Sequence, residues 1–442
     1  MTADMGSRLA NRILLGLLLG AAAGGVTLLI GGIYPAVLDA ARGFSTLVLD
    51  PIGQVFLRML FFVVIPLVFA SLATGVAQLD RLGQLGPMAM RTFALFFLNM
   101  SLAVALGLVM MNLLEPGASM DPESQARLLE EYGGDAATHV ARRAEAPDVT
   151  PMTVVEMFMP KNLFGAFVGN DRNALGDVLP LILFAILVGA AALKLPGERR
   201  EQLRSGLSLV NDLMTGIVHF ALKLAPYAVP AMIYSVVVKI GWDIVIALGV
   251  FVVGCIAVML LHLFGILSIW LRLLARRSPL ETFRLIRPVL VTAFSTSSSA
   301  ATLPTALASA REDLGVRAPV AGFVLPLGAT MNMSGTALYE GCVVLFVAQV
   351  FGIDLGFAQQ ATLVFLAVLS AVAVSAVPGG SLPLVAGLLA AFGIPPEGIG
   401  IILGVDRLLD MTRTMINVGS DVVTATVVDR FTKLSEAPRA AG

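Results

Sequence analysis

Charge is what this sequence has least of. Asp, Glu, Lys and Arg together make up 13% of the 442 residues, against 57% hydrophobic. Soluble domains carry about 25% charged residues, so an ordinary cytosolic enzyme with one packed core is excluded. Lys and Arg (29) nearly balance Asp and Glu (30), leaving a net charge of −1. No basic arm is present, so nothing invites nucleic acid. Cysteine is nearly absent as well. Cys255 and Cys342 each sit inside an apolar run, which argues against a disulfide framework or a CxxC metal site. The three histidines, His139, His219 and His262, stand in no ligand spacing. No cofactor is expected.

Long apolar runs are what the sequence has instead. A membrane span needs about 20 apolar residues, and candidates fall at 13–34, 51–78, 90–114, 177–195, 205–239, 243–271, 318–351 and 398–428. The run after the basic start MTADMGSRLANR is too long for a cleaved signal, and reads as a first span. Two further stretches, 288–310 and 359–393, are interrupted, the first by Ser295–Ser299 and Pro304, the second by Ser375 to Ser381 with Pro378-Gly379-Gly380. Freed backbone groups find no partners in hydrocarbon, so such breaks are tolerated only against protein or a water-filled cavity. Both stretches are expected to be re-entrant hairpins with their tips at a site.

Basic residues fix an expected orientation. Arg8, Arg12, Arg81, Arg91, Lys194, Arg199, Arg200 and Arg204 fall in short loops on one side, followed by Arg272, Arg276, Arg277, Arg284, Arg287, Arg311 and Arg317. The positive-inside rule makes that side cytoplasmic. The acid-rich segment from Glu115 to about Asp148 then lies outside. Eight spans put both termini inside, with the first hairpin entering from the cytoplasm and the second from outside. An inverted repeat would produce this opposed pair and centre a substrate site near the midplane.

The segment 404–426, GVDRLLDMTRTMINVGSDVVTAT, carries the most chemistry. At about 100° per residue, Asp406, Asp410, Arg413, Asn417 and Asp421 share one stripe of a helix. Each charge at the centre of a membrane helix costs about 2.5–3.5 kcal/mol, so the stripe must face protein, ions or a polar ligand. An internal salt bridge that only locks helices is the plain alternative. Arginine offers a fork matched to a carboxylate, and an aspartate three residues earlier can take an ammonium. Together they suit an amino acid with a second carboxylate. A plain dicarboxylate such as succinate would leave Asp410 unpaired. In PLGATMNMSGTALYE (326–340), Gly328, Asn332, Gly335 and Thr336 imply an unwound stretch whose carbonyls suit a hard cation; a glycine-kinked packing helix is the alternative.

TSSSAATLP (296–304), LPLGATMNMSGTALYEG (325–341), AVPGG (376–380) and DRLLDMTRTMINVGSD (406–421), in that order, resemble the dicarboxylate/amino acid:cation symporter family, the glutamate transporters. The likeness runs from about residue 10 to 432 and includes FLRMLFFVVIPLVF (56–69). It implies an all-α membrane protein of eight transmembrane helices and two opposed re-entrant helical hairpins, assembled as a homotrimer, in which a transport domain slides past a scaffold like an elevator. On this chain the partition would be helices 1–3 in 1–114, an extracytoplasmic loop and the start of helix 4 in 115–176, and helices 4–6 in 177–271. The first hairpin would take 272–317, helix 7 318–352, the second hairpin 353–396, helix 8 397–430 and a cytoplasmic tail 431–442.

The resemblance also implies roles. Arg413 would bind the substrate's side-chain carboxylate with Thr336, Asp410 its ammonium, and Asn417 with the backbone near Ser299 its α-carboxylate. Thr414 and Val377 would line the pocket. Asp421, with Asn417, Gly328, Asn332 and Thr330 around it, would form a sodium site, and carbonyls near Val372–Val374 a second. The chain departs from the family pattern at Ser334, where an aspartate is usual, and at Phe96, Asn99 and Met100, which replace oxygen ligands on the third helix. That sodium site is expected to be missing or replaced. Ser297 and Met411 stand where relatives carry an arginine, so the pocket is expected to be less positive. Glu340 corresponds to a glutamate that resembles a proton carrier in mammalian relatives; a carboxyl withdrawn from water favours its neutral form. The resulting expectation is an inner-membrane symporter for glutamate or aspartate, driven by Na+ and/or H+. A C4-dicarboxylate symporter, a passive anion channel, and an intramembrane protease using one of Ser295–Ser299 are the alternatives.

Overall fold

A computed structural model describes residues 3–77, 86–118, 121, 123, 159–168, 178–374 and 381–432. Among them every regular element is helical. Most of the acidic 115–176 loop, the Pro-Gly-Gly tip of the second interrupted stretch with Val377, and the tail from 433 lie outside the described residues.

The N-terminal helices are α1 (Ala3–Ile33), α2 (Pro35–Phe44), α3 (Asp50–Phe61), α4 (Val64–Ala77) and α5 (Gly86–Leu114). After α6 (Leu163–Val168) come α7 (Val178–Ala192), the 44-residue α8 (Gly197–Ile240) and α9 (Asp243–Leu261). The α9 axis runs on through a π turn, α10 (Leu267–Trp270) and a second π turn to Ala275. The remaining elements are α11 (Pro279–Leu285), α12 (Arg287–Thr296), α13 (Ser299–Glu312), α14 (Ala318–Met331), α15 (Ser334–Val350), α16 (Phe357–Ala373), α17 (Leu382–Ala391) and α18 (Ile399–Phe431).

Among the described residues six stretches are long and apolar enough to cross a membrane: Leu15–Ile33, Pro35–Ala70, Pro87–Leu114, Lys223–Ile240, Asp243–Ala275 and Ala318–Val350. A helix stands at each of the eight expected spans. Of the remaining two, α7 is apolar throughout and has 15 residues, and α18, although 33 residues long, carries the charged stripe.

The helices pack as two groups. In the first, α1 lies along α8, which also meets α3 and α4, while α4 holds α7. The α1–α8 seam is close because Gly16, Gly20 and Gly24 present a bare backbone at every fourth residue to Pro230 and Val237. A methyl group on Gly20 would lie 2.6 Å from the Pro230 carbonyl oxygen. Small residues at this spacing let membrane helices approach. In the second group, α15 packs along α5, and α18 is surrounded by α12, α14, α15, α13 and α9. A small apolar cluster, Val68, Ala73, Leu181, Ala185, Leu207, Val374 and Leu384, joins the end of α16 and the start of α17 to α4, α7 and α8.

The two interrupted stretches are pairs of half-length helices. In the first, Ser297 turns the chain with a left-handed φ of 48°, and the Ser298 hydroxyl accepts from the Ala301 N–H to cap α13. Here the serine run builds both the turn and the cap. In the second, α16 ends at Val374 in extended conformation and α17 starts after Ser381 with Pro383 in its first turn.

Candidate functional site

The site is built on α18 where it passes the break between α14 and α15. Asn332 and Met333 leave the helical conformation (φ −105°, ψ 67° and φ −92°, ψ 56°), so the expected unwound stretch spans two residues. The N–H groups this frees at the start of α15 are met from α18. Asn417 Oδ1 accepts from Gly335 N (2.7 Å) and Thr336 N (3.3 Å), while its Nδ2 donates to Thr336 Oγ1 (3.1 Å) and Met333 Sδ (3.2 Å). Asn417 and Thr336 therefore meet directly, both buried.

One turn beyond, Asp421 Oδ1 accepts from Asn332 Nδ2 at 2.9 Å. Gly328 lies against that carboxylate so closely that a methyl group there would overlap Asp421 Oδ1. The Ser420 hydroxyl accepts from Asn332 Nδ2 (2.8 Å) and Ser334 Oγ (3.1 Å) and donates to the Asn417 carbonyl (3.0 Å). From α5, Asn99 Nδ2 approaches Asn332 Oδ1 at 3.5 Å, flanked by buried Phe96 and Met100. Hard cations of low charge take carboxylate, carbonyl and hydroxyl oxygens. Asp421 and the neighbouring carbonyls of Gly328 and Asn417 supply that donor type. Among the described residues no three His, Cys, Asp or Glu side chains gather as a metal site. Thr330 is placed elsewhere: it is exposed, and its hydroxyl donates to the Leu327 carbonyl.

Two turns back along α18 lies the charged part of the stripe. Arg413, 3% exposed, donates through Nη2 to Asp410 Oδ1 (2.5 Å) and through Nη1 to the Ser381 hydroxyl at the start of α17. Its guanidinium stands 4.7 Å over the Tyr339 ring centre, a cation–π contact worth more when desolvated. Tyr339 in turn donates to Asp406 Oδ1 (2.7 Å). The other oxygen of Asp410 has a second arginine, Arg407 Nη1, at 3.4 Å. Thr414 turns its hydroxyl to the Asp410 carbonyl (2.8 Å). Ser299 is buried in the first turn of α13, which packs on α18.

Glu340 follows Tyr339 on α15. It is fully buried, and neither carboxyl oxygen has a hydrogen-bond partner. The Ser370 hydroxyl of α16 stands toward it, itself buried and short of hydrogen-bond geometry.

The sodium:dicarboxylate symporter family model matches residues 9–431. The chain belongs to this family. Over 406 residues it is 32% identical to the proton/sodium-glutamate symport protein of Bacillus subtilis, covering 91% of this chain and 90% of that one. It is 28% identical over 424 residues to the proton/glutamate-aspartate symporter of Escherichia coli, covering 96% and 92%. It is also 29% identical over 407 residues to the C4-dicarboxylate transport protein of Deinococcus radiodurans, covering 91% and 86%. Family membership and the apolar helices make the chain a multi-pass membrane transporter for small acidic solutes, with transport rather than bond-breaking as its activity. Within this family member, the sequence stripe accounts for Asp406, Asp410, Arg413, Asn417 and Asp421. Three contributors escaped it: Tyr339, Ser381 and Arg407. Tyr339 was not singled out and Ser381 stood only as the end of an interruption, because each meets α18 only through the fold. Arg407 stood beside the stripe in the same motif.

Proposed function

We propose that this family member is a secondary active symporter that brings glutamate or aspartate into the cell with Na+ and/or H+. The observation that carries the reading is the buried Arg413–Asp410 pair inside a membrane bundle. A guanidinium can take the substrate's distal carboxylate in a two-pronged contact, and Asp410, released from it, can take the ammonium. Thr336 assists Arg413 at the distal carboxylate, Asn417 with the backbone near Ser299 takes the α-carboxylate, and Thr414 lines the pocket. The Bacillus and Escherichia relatives, named as glutamate or glutamate-aspartate symporters, support the same solute class.

Na+ would be cargo at Asp421, with oxygens of Gly328, Asn332 and Asn417. The amide and hydroxyls of Asn99, Asn332, Ser334 and Ser420 would occupy the neighbourhood of a further ion by hydrogen-bonding to one another. Glu340 would carry a proton: a carboxylate with no donor is costly in a dry site, and a bound proton removes its charge. In this reading α5, α9 and α12–α18 travel as a transport domain against α1–α4, α7 and α8, in a homotrimer of the inner membrane with both termini cytoplasmic.

The test is uptake of labelled glutamate and aspartate into proteoliposomes, with sodium and pH gradients imposed separately. Accumulation above the external concentration is expected, and equilibration without accumulation would mark a channel instead. Arg413→Ala should lower uptake on the order of a hundredfold, because truncating one side of a buried charge pair costs about 2–5 kcal/mol. Retained glutamate uptake in that variant contradicts the assignment.

A further inference from the structure

Arg407 changes the electrostatics of this pocket. Its side chain is 12% exposed and that of Asp410 5%, and its Nε is buried without a hydrogen-bond partner. Asp410 is thus held from both sides, Oδ1 by Arg413 and Oδ2 by Arg407. Without Arg407 the charged side chains here would be Asp406 and Asp410 against Arg413 alone, a net −1 facing a solute that is itself an anion. With it, two carboxylates face two guanidiniums. The second positive charge, missing at Ser297 and Met411, enters from another position.

The arrangement bears on the solute's amino group. When a substrate carboxylate takes Arg413, Asp410 loses one partner. If it had no other, only a solute bringing its own ammonium could be accepted, since a buried charge stripped of its partner is strongly unfavourable. Arg407 remains as that other partner. We infer that Arg407 is a specificity-determining residue: by pairing Asp410 Oδ2, it relaxes the need for a substrate ammonium and admits dicarboxylates that lack one.

This rests on the reading of the pocket as an acidic-solute site, and the experiment separates the two. Uptake of labelled aspartate by the full chain in proteoliposomes is measured with unlabelled aspartate or succinate as competitor. For the unaltered protein, the two half-inhibitory concentrations should lie within about tenfold of each other, the equivalent of one modest polar contact. In Arg407→Gln their ratio should shift toward aspartate by roughly tenfold or more, because aspartate's ammonium can replace the lost guanidinium and succinate cannot. Arg407→Lys keeps the charge and should hold the ratio within about threefold. The ratio is the readout, since a purely structural role would weaken both competitors together. Succinate that fails to compete with the unaltered protein, or a glutamine variant with an unshifted ratio, overturns the inference. So does a lysine variant that shifts as far as glutamine, which also decides the matter if the glutamine variant does not reach the membrane. If the unaltered protein takes up neither solute, the acidic-solute reading fails, and this inference with it.

Discussion

Glu340 is the residue on which the proposed proton coupling rests. Its neighbours along α15 are spoken for: Tyr339 is bonded to Asp406, and Thr336 to Asn417. The Glu340 oxygens alone have no donor, and the Ser370 hydroxyl toward them is also idle. The guanidinium of Arg413 stacks on the adjacent Tyr339 and is committed to Asp410 and Ser381. A carboxyl in such surroundings is most stable when neutral, and neutralising it takes a proton from one side of the membrane. Net uptake by the unaltered protein should therefore fall as external pH rises. Glu340→Gln, which keeps the shape and removes the titration, should abolish that dependence while leaving substrate exchange intact. Unchanged pH dependence in the glutamine variant rules Glu340 out as the proton site.

At the scale of elements, the contact between α14 and α18 decides whether Asp421 can serve an ion. At Gly328 α14 lies directly against α18, and any side chain there overlaps the Asp421 carboxylate. Gly328→Ala must push the carboxylate aside or separate the helices. Overpacking a tight interior costs about 1–3 kcal/mol. The sodium concentration for half-maximal uptake should then rise by roughly tenfold or more, with assembly in the membrane retained. An unaltered sodium dependence would remove Asp421 from the ion site. The glycine, the aspartate and the asparagine were all legible in the sequence, because polar groups repeated on one face of an apolar helix have few bland explanations. The rest was hidden for a physical reason. Whether Thr330 faces Asp421 or the outside depends on the rotation of α14, which the packing sets, and the fold turns it outward. The aromatic ring under Arg413 and the serine beside it belong to elements that periodicity cannot bring together. Arg407 lies about 60° around the helix from Asp410 on the side away from Arg413, at 100° per residue, and so falls outside the stripe the other five share.

For the whole molecule, the division into two packing groups makes movement of one against the other a mechanical question with a direct test. Among the places where the groups touch is the crossing of α1 and α18. Gly404 of α18 faces Leu17 of α1 there, and a Cβ on Gly404 would lie 3.3 Å from the Leu17 Cβ. Disulfide-bonded residues have Cβ atoms about 3.5–4.5 Å apart, so cysteines at 17 and 404 need only a small separation of the helices to be bridged. The native Cys255 and Cys342 are both buried, and each is replaced by alanine in the background for the test. If the α18 group carries the site across the membrane while the α1 group stays put, oxidising Leu17→Cys/Gly404→Cys should halt net uptake. Reductant should restore it, and labelled aspartate should still bind to the bridged protein. The double variant without oxidant controls for the bulk added at Gly404. A bridge that forms fully and leaves uptake untouched would mean that α1 and α18 do not move apart in the cycle. Transport would then have to proceed by local opening around Ser381 and the adjoining ends of α16 and α17, with the two groups fixed.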